Sequence, residues 1–347
     1  MRWRLSPRCS TQSFLGARLS RSLAFLTLSL ALFLGLALSL GVGAAPLTPS
    51  QVAAALVGYP LKEAHTAIVW DLRLARGLLV CLCGMALGAA GAGFQGLFRN
   101  PLADPYIVGA SSGAALGATL SVVLAKATGM HLPIGAAAFL GALIAVLLAG
   151  VLAEASGMES LAALLLSGVA LGSIFSALAS LLLLLDDQAL RDVFAWMLGG
   201  FSGRSWPQLQ QTAWIAPLSL VALWCMSRPL DALTLGEDGA HTLGLELRWV
   251  RFAIIAAASL ATAVAVAAGG IIGFVGLVAP HLARAIFGAA HIRLIPAAML
   301  IGGLLLLGAD ALARGLVPPL ELPIGVLTTL LGAPFFIFIL RLKGRTA

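Results

Sequence analysis

Charge is what this sequence has least of. Only 10% of its 347 residues are Asp, Glu, Lys or Arg and 60% are hydrophobic, with a mean hydropathy of +1.03. A soluble domain carries about 25% charged residues, so a water-soluble core inside a solvated surface is excluded. Lysine is almost missing: Lys62, Lys126 and Lys343 are the only three, and none follows a glycine. The phosphate cradle G-x-x-x-x-G-K-[ST] needs a lysine in that place, so any ATP drive must come from another chain. Carboxylates are equally sparse inside the apolar runs, which argues against a carrier that moves protons or sodium through buried acids. The one candidate is Asp310, and Arg314 lies four residues on, a spacing at which helix side chains meet. An ion pair is the simpler reading; a secondary active transporter coupled through Asp310 is the alternative. The four cysteines, Cys9, Cys81, Cys83 and Cys225, lack the spacing of a zinc site or a disulfide framework and read as small packing residues. Clustered His, Cys or carboxylates, which a membrane-embedded enzyme would want, are not seen either.

What the sequence does have is apolar length. Runs of spanning size begin at about Leu23 and continue over 74–94, 107–124, 133–152, 161–185, 213–226, 252–268, 273–287, 294–313 and 324–340. They predict an all-α, polytopic membrane protein of about ten transmembrane helices embedded in a lipid bilayer. The eighth run is doubtful on hydropathy, being short and holding Pro280, His281 and Arg284. The first run is longer than the apolar part of a signal peptide, which favours an uncleaved first span. Residues 1–22 read as a cytoplasmic Arg-rich N-terminal arm, and 23–347 as a single transmembrane domain with a cytoplasmic segment at 228–251.

The net charge of +7 does not indicate nucleic acid, because the arginines stand singly between apolar runs rather than along one polar face. They serve topology instead. With both termini cytoplasmic and ten crossings, the inner side holds about twice the Lys and Arg of the outer side, as the positive-inside rule asks. Glycines recur within the runs, as at Gly84, Gly88, Gly91 and Gly93, or Gly168 and Gly172, and let helix backbones approach closely. The longest inner interruption, 228–251, reads as two short amphipathic helices outside the bilayer. On the outer side, Val193, Phe194, Trp196 and Met197 suggest an interfacial helix with Trp196 at headgroup level. In 99–105, Asn100-Pro101 and Asp104-Pro105 predict a non-helical inner loop, since proline biases its predecessor out of the helical region; pairing of Arg99 with Asp104 would stabilise it. His281 reads as a structural histidine rather than a metal ligand.

Several stretches closely resemble the signature of the FecCD-type permeases of bacterial importers for iron-siderophore, haem and cobalamin. They are LRLARGLL, GAAGAGFQGLFRNPLADPYIVGASSGAALGA, LLLSGVALGSIFSAL, LGEDGAHTLGL, GGIIGFVGLVAPHLAR and ADALARGLVPPLELPIGVLTTLLGAPFFIFIL, spread over about Leu72 to Leu340. The resemblance implies a BtuC-like type II ABC importer permease. Its implied partners are a second copy of itself, two cytoplasmic ATP-binding cassette subunits and an extracytoplasmic substrate-binding protein. ATP and Mg would belong to the ATPase subunits, with no cofactor or metal on this chain. Leu235, Gly236, Glu237, Ala240, Leu243 and Gly244 match the segment that docks into the ATPase. Arg73, Arg76 and Arg314 match positions that face acidic side chains of the binding protein. Arg99, Asn100, Pro101, Asp104 and Pro105 match the inner loop, and Ser160, Leu161 and Ala162 the cytoplasmic gate. The substrate implied is a ferric siderophore, cobalamin or haem, taken into the cytoplasm without covalent chemistry.

Overall fold

The computed structural model describes residues 11–45, 47–58, 63–156 and 161–343, and among them the chain is built from helices joined by short turns. In order they are α1 (Thr11–Ser39), α2 (Pro49–Val57), α3 (Glu63–Ala67), a π-helical turn (Ile68–Leu74) leading into α4 (Ala75–Leu97), α5 (Ala110–Thr128), α6 (Ile134–Ala155) and α7 (Leu161–Leu184). There follow α8 (Asp187–Met197), α9 (Trp206–Cys225), α10 (Ser227–Leu233), α11 (Glu237–Thr242), α12 (Leu247–Gly269), α13 (Val275–Phe287), α14 (His291–Gly315) and α15 (Ile324–Lys343). Among the described residues seven helices are long and apolar enough to cross a bilayer, α9 reaches that length and apolarity only together with α10, from which it is bent by 46°, and α13 and α15 are shorter apolar helices. The ten apolar runs of the sequence thus each become a helix. Arg2, Arg4, Arg8, Lys62, Ser160 and Arg345 lie outside the described residues, as does Cys9.

Helix α4 is the hub, buried along nearly its whole length. It can be central because its glycines remove the side chains that would hold neighbours away. A Cβ at Gly84 would stand 2.4 Å from the Gly302 carbonyl oxygen, one at Gly88 2.2 Å from that of Ala298, and one at Gly91 1.7 Å from that of Gly276. Gly84 and Gly88 therefore bring the α14 backbone in, and Gly91 that of α13. Gly113 and Gly141 do the same for α5 and α6. Lipid provides no hydrophobic drive between spans, so such close packing is what holds them together.

The two ends of the bundle differ in their surface elements. One end carries α10 and α11, the expected pair of short helices. The other carries α8, the expected interfacial helix, capped by Asp186, whose Oδ1 accepts from the N–H groups of Gln188 and Ala189. Lys126 holds the other oxygen of Asp186 at 2.6 Å. That hydrogen bond, with the Ala189 and Gln188 amides, keeps the Asp186 carboxyl below its ordinary value.

Two non-helical segments run into the bundle from opposite ends. Residues 98–109 leave α4 at the α10 end, and Gly109 lies against Gly168, seven residues or about 10 Å up α7. Residues 270–274 descend from α12, with Phe274 at φ 67°, and deliver α13 opposite Gly91. At about 20 Å, the 13 residues of α13 cross only part of a bilayer core of about 30 Å. Its shortness, which made the eighth run doubtful, is this arrangement: non-helical chain precedes the helix.

Candidate functional site

Polar side chains gather at three levels of the bundle. At the α8 end, Asp310 of α14 is 0% exposed and sits between two guanidinium groups. Arg76 Nε and Nη2 donate to its Oδ1 at 3.0 and 2.9 Å, and Arg314 Nε donates to its Oδ2 at 3.0 Å. Arg76 Nη1 also reaches Glu321 at 2.9 Å, and the Ser202 hydroxyl donates to the same carboxylate. Burial pushes the Glu321 carboxyl up, but the Ser202 hydroxyl and Arg76 more than offset this and hold it below its ordinary value. Arg314 and Arg73 complete the cluster by donating to carbonyls at and just beyond the end of α1: Arg314 to Val42 and Ser39, Arg73 to Leu40 and Ala45. A helix end leaves its last carbonyls without intrahelical partners, and these arginines supply the donors.

Arg73, Arg76 and Arg314, expected to face acidic side chains of a binding protein, are all buried and engaged within the chain taken alone. The reason is local: the carbonyls after α1 and the carboxylates of Asp310 and Glu321 surround them, and an unpaired guanidinium at that depth is costly. The Asp310–Arg314 pair appears as the four-residue spacing predicted. Asp310 is 0% exposed and held by two arginines, an arrangement that an ion pair explains without the coupled-carrier alternative.

The middle level is the meeting of the two non-helical segments. Tyr106 Oη accepts from the Ile272 N–H at 3.2 Å and donates to the Ile272 carbonyl at 3.3 Å. Pro105 packs where a Cβ on Gly276 would be, 2.4 Å away. Irregular backbone at such depth is tolerated only when its polar groups are satisfied within protein or line a cavity. Asn100 and Asp104 shape the inner loop differently from expectation. Asn100 Oδ1 accepts from Leu102 N–H and Asp104 Oδ1 from Tyr106 N–H, both at 2.9 Å, so each closes its own side-chain turn. The anticipated Arg99–Asp104 pair is not formed among the described residues. Arg99 is exposed at φ 47° while Asp104 is turned toward the loop's own amides. Tyr106→Phe is expected to lower thermal stability by about 1–3 kcal/mol, because it leaves a buried N–H and C=O unmatched. Detergent-solubilised unfolding midpoints check this; an unchanged midpoint would mean that the junction does not hold the two segments.

Beside this junction, a cleft of about 380 Å³ opens between the start of α5 and α7, lined by Tyr106, Gly109, Ser112, Gly172, Ser173 and Ser176. Of the expected gate residues, Leu161 is half-buried and Ala162 exposed at the start of α7, and Ser160 lies outside the described residues.

At the α10 end, Leu235 and Leu243 are 69% and 62% exposed. Gly236 and Gly244 bracket α11 at φ 97° and 77°, conformations that a side chain would oppose. Ala240 is buried beneath them, tying the pair to the bundle. The Glu237 side chain lies outside the described atoms. Sequence reasoning missed four residues: Glu321, Tyr106 and the pair Asp231–His291, in which Asp231 of α10 meets the first residue of α14 at 2.6 Å. Tyr106 carried a signal, as one of two tyrosines in the chain. His281, read as structural, packs edge-on against Phe335 and Phe336.

A model of the FecCD transport family matches residues 30–342. The cobalamin import system permease protein BtuC of Halobacterium salinarum is 38% identical over 288 residues, covering 83% of this chain and 77% of that protein. The Fe(3+)-citrate import system permease protein YfmE of Bacillus subtilis is 36% identical over 326 residues, covering 93% and 96%. The vitamin B12 import system permease protein BtuC of Escherichia coli is 42% identical over 278 residues, covering 80% and 84%. A solved structure described as an inward-facing conformation of a metal-chelate type ABC transporter superposes with a TM-score of 0.81 at 31% identity, covering 92% of this chain and 98% of that one.

Proposed function

The chain belongs to the FecCD transport family and is a permease subunit of an ATP-binding-cassette importer, and from that premise we propose that it carries an intact ferric chelate, foremost a ferric siderophore, across the cytoplasmic membrane. The observation that carries the permease reading is the pairing of an exposed α10–α11 segment with a sequence that holds no nucleotide cradle. A small rigid helix pair can pass on a rigid-body push from a partner that does bind ATP. The ferric reading is supported by the nearly full-length match to a ferric-citrate permease and by the metal-chelate transporter of like fold. Cobalamin is the second reading, favoured by identity to the two cobalamin permeases over a shorter stretch; haem is the third.

In this reading two copies associate, with the apolar and largely exposed face of α7 between them, and two ATPase subunits seat against Leu235 and Leu243. The α10 end and both termini face the cytoplasm. The hydroxyl- and glycine-lined cleft at α7 faces the pathway, where small groups let a bulky ligand slide without tight binding. ATP closure rocks the pair between inward- and outward-open states, and no covalent step occurs on this chain. Binding-protein docking at Arg73, Arg76 and Arg314 requires the partner's carboxylates to compete with the acceptors already in place. Glu321, with its side chain 35% exposed, is the carboxylate such a partner would displace from Arg76, and charge-assisted contacts of this kind set register and on-rate.

Deleting the protein from its host and following labelled ferric siderophore, cobalamin and haem side by side tests the reading. Loss of ferric uptake alone, restored by the intact chain, is the expected result. Loss of cobalamin or haem alone would reassign the cargo; loss of none would overturn the importer reading.

A further inference from the structure

The coupling segment is joined covalently to α9 and α12, yet it also makes a side-chain ion contact with a third helix. Asp231, on α10, accepts two hydrogen bonds on one oxygen, from the His291 backbone N–H at 2.9 Å and from its Nδ1 at 2.6 Å. His291 is the first residue of α14, whose cap residue Ala290 contributes no side-chain acceptor. A helix start leaves its first N–H groups unpaired and carries partial positive charge, so a carboxylate there is doubly favoured. Asp231 thus caps α14 from another helix. Because a carboxylate only accepts, Nδ1 is the donor in this contact, while Nε2 is turned inward, where it has no hydrogen-bond partner among the described residues.

A second attachment lies one residue on. Pro296 has no N–H, so the Ile292 carbonyl four residues earlier loses its intrahelical donor. The Trp224 indole N–H, near the end of α9, donates to that carbonyl at 3.2 Å. Gly96 of α4 completes the seat: a Cβ there would fall 2.5 Å from His291 Nε2 and 3.0 Å from Leu230 Cδ2. From this anchor α14 runs unbroken for 25 residues, about 38 Å, to Asp310 and Arg314 at the other end.

We infer that Asp231 and His291 form a clasp that fixes the coupling pair to α14 and makes α14 the strut between the ATPase face and the Arg76–Asp310–Arg314 cluster. Asp231 is a positioning residue: it touches neither cargo nor nucleotide. The inference rests on the reading of residues 235–244 as the ATPase-docking segment.

The test uses the whole complex, permease with its ATPase subunits in proteoliposomes, and compares basal ATP hydrolysis with hydrolysis stimulated by the binding protein. In Asp231→Ala, stimulation is expected to fall about tenfold, within the range of ordinary coupling free energies, while the subunits stay associated and basal hydrolysis persists. Asp231→Asn keeps the accepting oxygen and is expected to restore stimulation; His291→Asn keeps a donor at the Nδ1 position and is expected to do the same. Trp224→Phe removes the second attachment from a half-exposed position and is expected to weaken stimulation in the same direction. Wild-type stimulation in Asp231→Ala, or an Asp231→Asn variant as defective as Asp231→Ala, would overturn the clasp. Should Asp231→Ala not assemble, wild-type stimulation in His291→Ala, which removes the Nδ1 donor, would overturn it. Leu235→Asp separates the premise: it is expected to release the ATPase subunits, and their retention would sink the docking-segment reading whatever the clasp variants do.

Discussion

Asp310→Ala is expected to leave little folded permease in the membrane, a larger loss than any other single side-chain truncation in this chain. Removing the carboxylate takes the ion-pair partner from Arg314, leaving it the Val42 and Ser39 carbonyls alone, and from half of the Arg76 guanidinium, in a site with no exposure at its centre. Breaking a buried pair by deleting one partner costs roughly 3–5 kcal/mol, because the charge left behind has neither water nor counter-ion. The total stability of a domain is of order 5–15 kcal/mol, so this is a large share. Two further variants isolate the cause. In Asp310→Ala combined with Arg314→Ala, Arg76 retains Glu321, and the pair should be more stable than Asp310→Ala alone. Asp310→Asn keeps one acceptor and should fall between. The measurement is the unfolding midpoint in detergent with the yield of monodisperse protein; a double variant no more stable than the single one would show that charge burial is not the reason. Were Asp310 instead a proton-coupling acid, Asp310→Asn would stop transport while leaving the midpoint unchanged, and the order of the three variants would not follow charge.

Which parts of this were legible beforehand follows from how far apart in sequence the partners lie. Asp310 and Arg314 are four residues apart, and a helix of period 3.6 brings them together whatever the tertiary fold. Arg76 is 234 residues from Asp310, and nothing local in LRLARGLL says where its side chain goes. Its role facing a binding protein was inferred from resemblance alone, and its acceptors within the chain, Asp310 and Glu321, lie far off in sequence. The same holds for Asp231 and His291, 60 residues apart. Gly236 and Gly244 were legible because a turn needs glycine for purely local reasons. The span count was legible because a bilayer imposes a length on each apolar run. Only α13 resisted, since a half-span preceded by non-helical chain does not satisfy that length; its depth depends on Gly91 and Tyr106, which belong to other segments.

Gly91→Ala is the second change expected to have a severe effect, and it is informative because the same substitution elsewhere should do the opposite. Alanine is the better helix former by roughly 0.5–1 kcal/mol. At Gly308, in α14, an added Cβ meets nothing within 4 Å, so Gly308→Ala should be neutral or slightly stabilising. At Gly91 the Cβ would stand 1.7 Å from the Gly276 oxygen and 2.5 Å from its carbonyl carbon. These are backbone atoms with no rotamer to yield, so α13 as a whole must move away from α4. Overpacking of ordinary side chains costs about 1–3 kcal/mol; a backbone-to-backbone clash belongs at or above the top of that range. The displacement also reaches the junction in mid-bundle, because Gly276 is the second residue of α13 and Pro105 is seated against it. Gly91→Ala is therefore expected to lower the unfolding midpoint and to cut transport more than stability alone explains, whereas Gly308→Ala leaves both unchanged. Equal midpoints for the two variants would mean that α4 and α13 tolerate separation, and that the junction of Tyr106 with Ile272 does not depend on their contact.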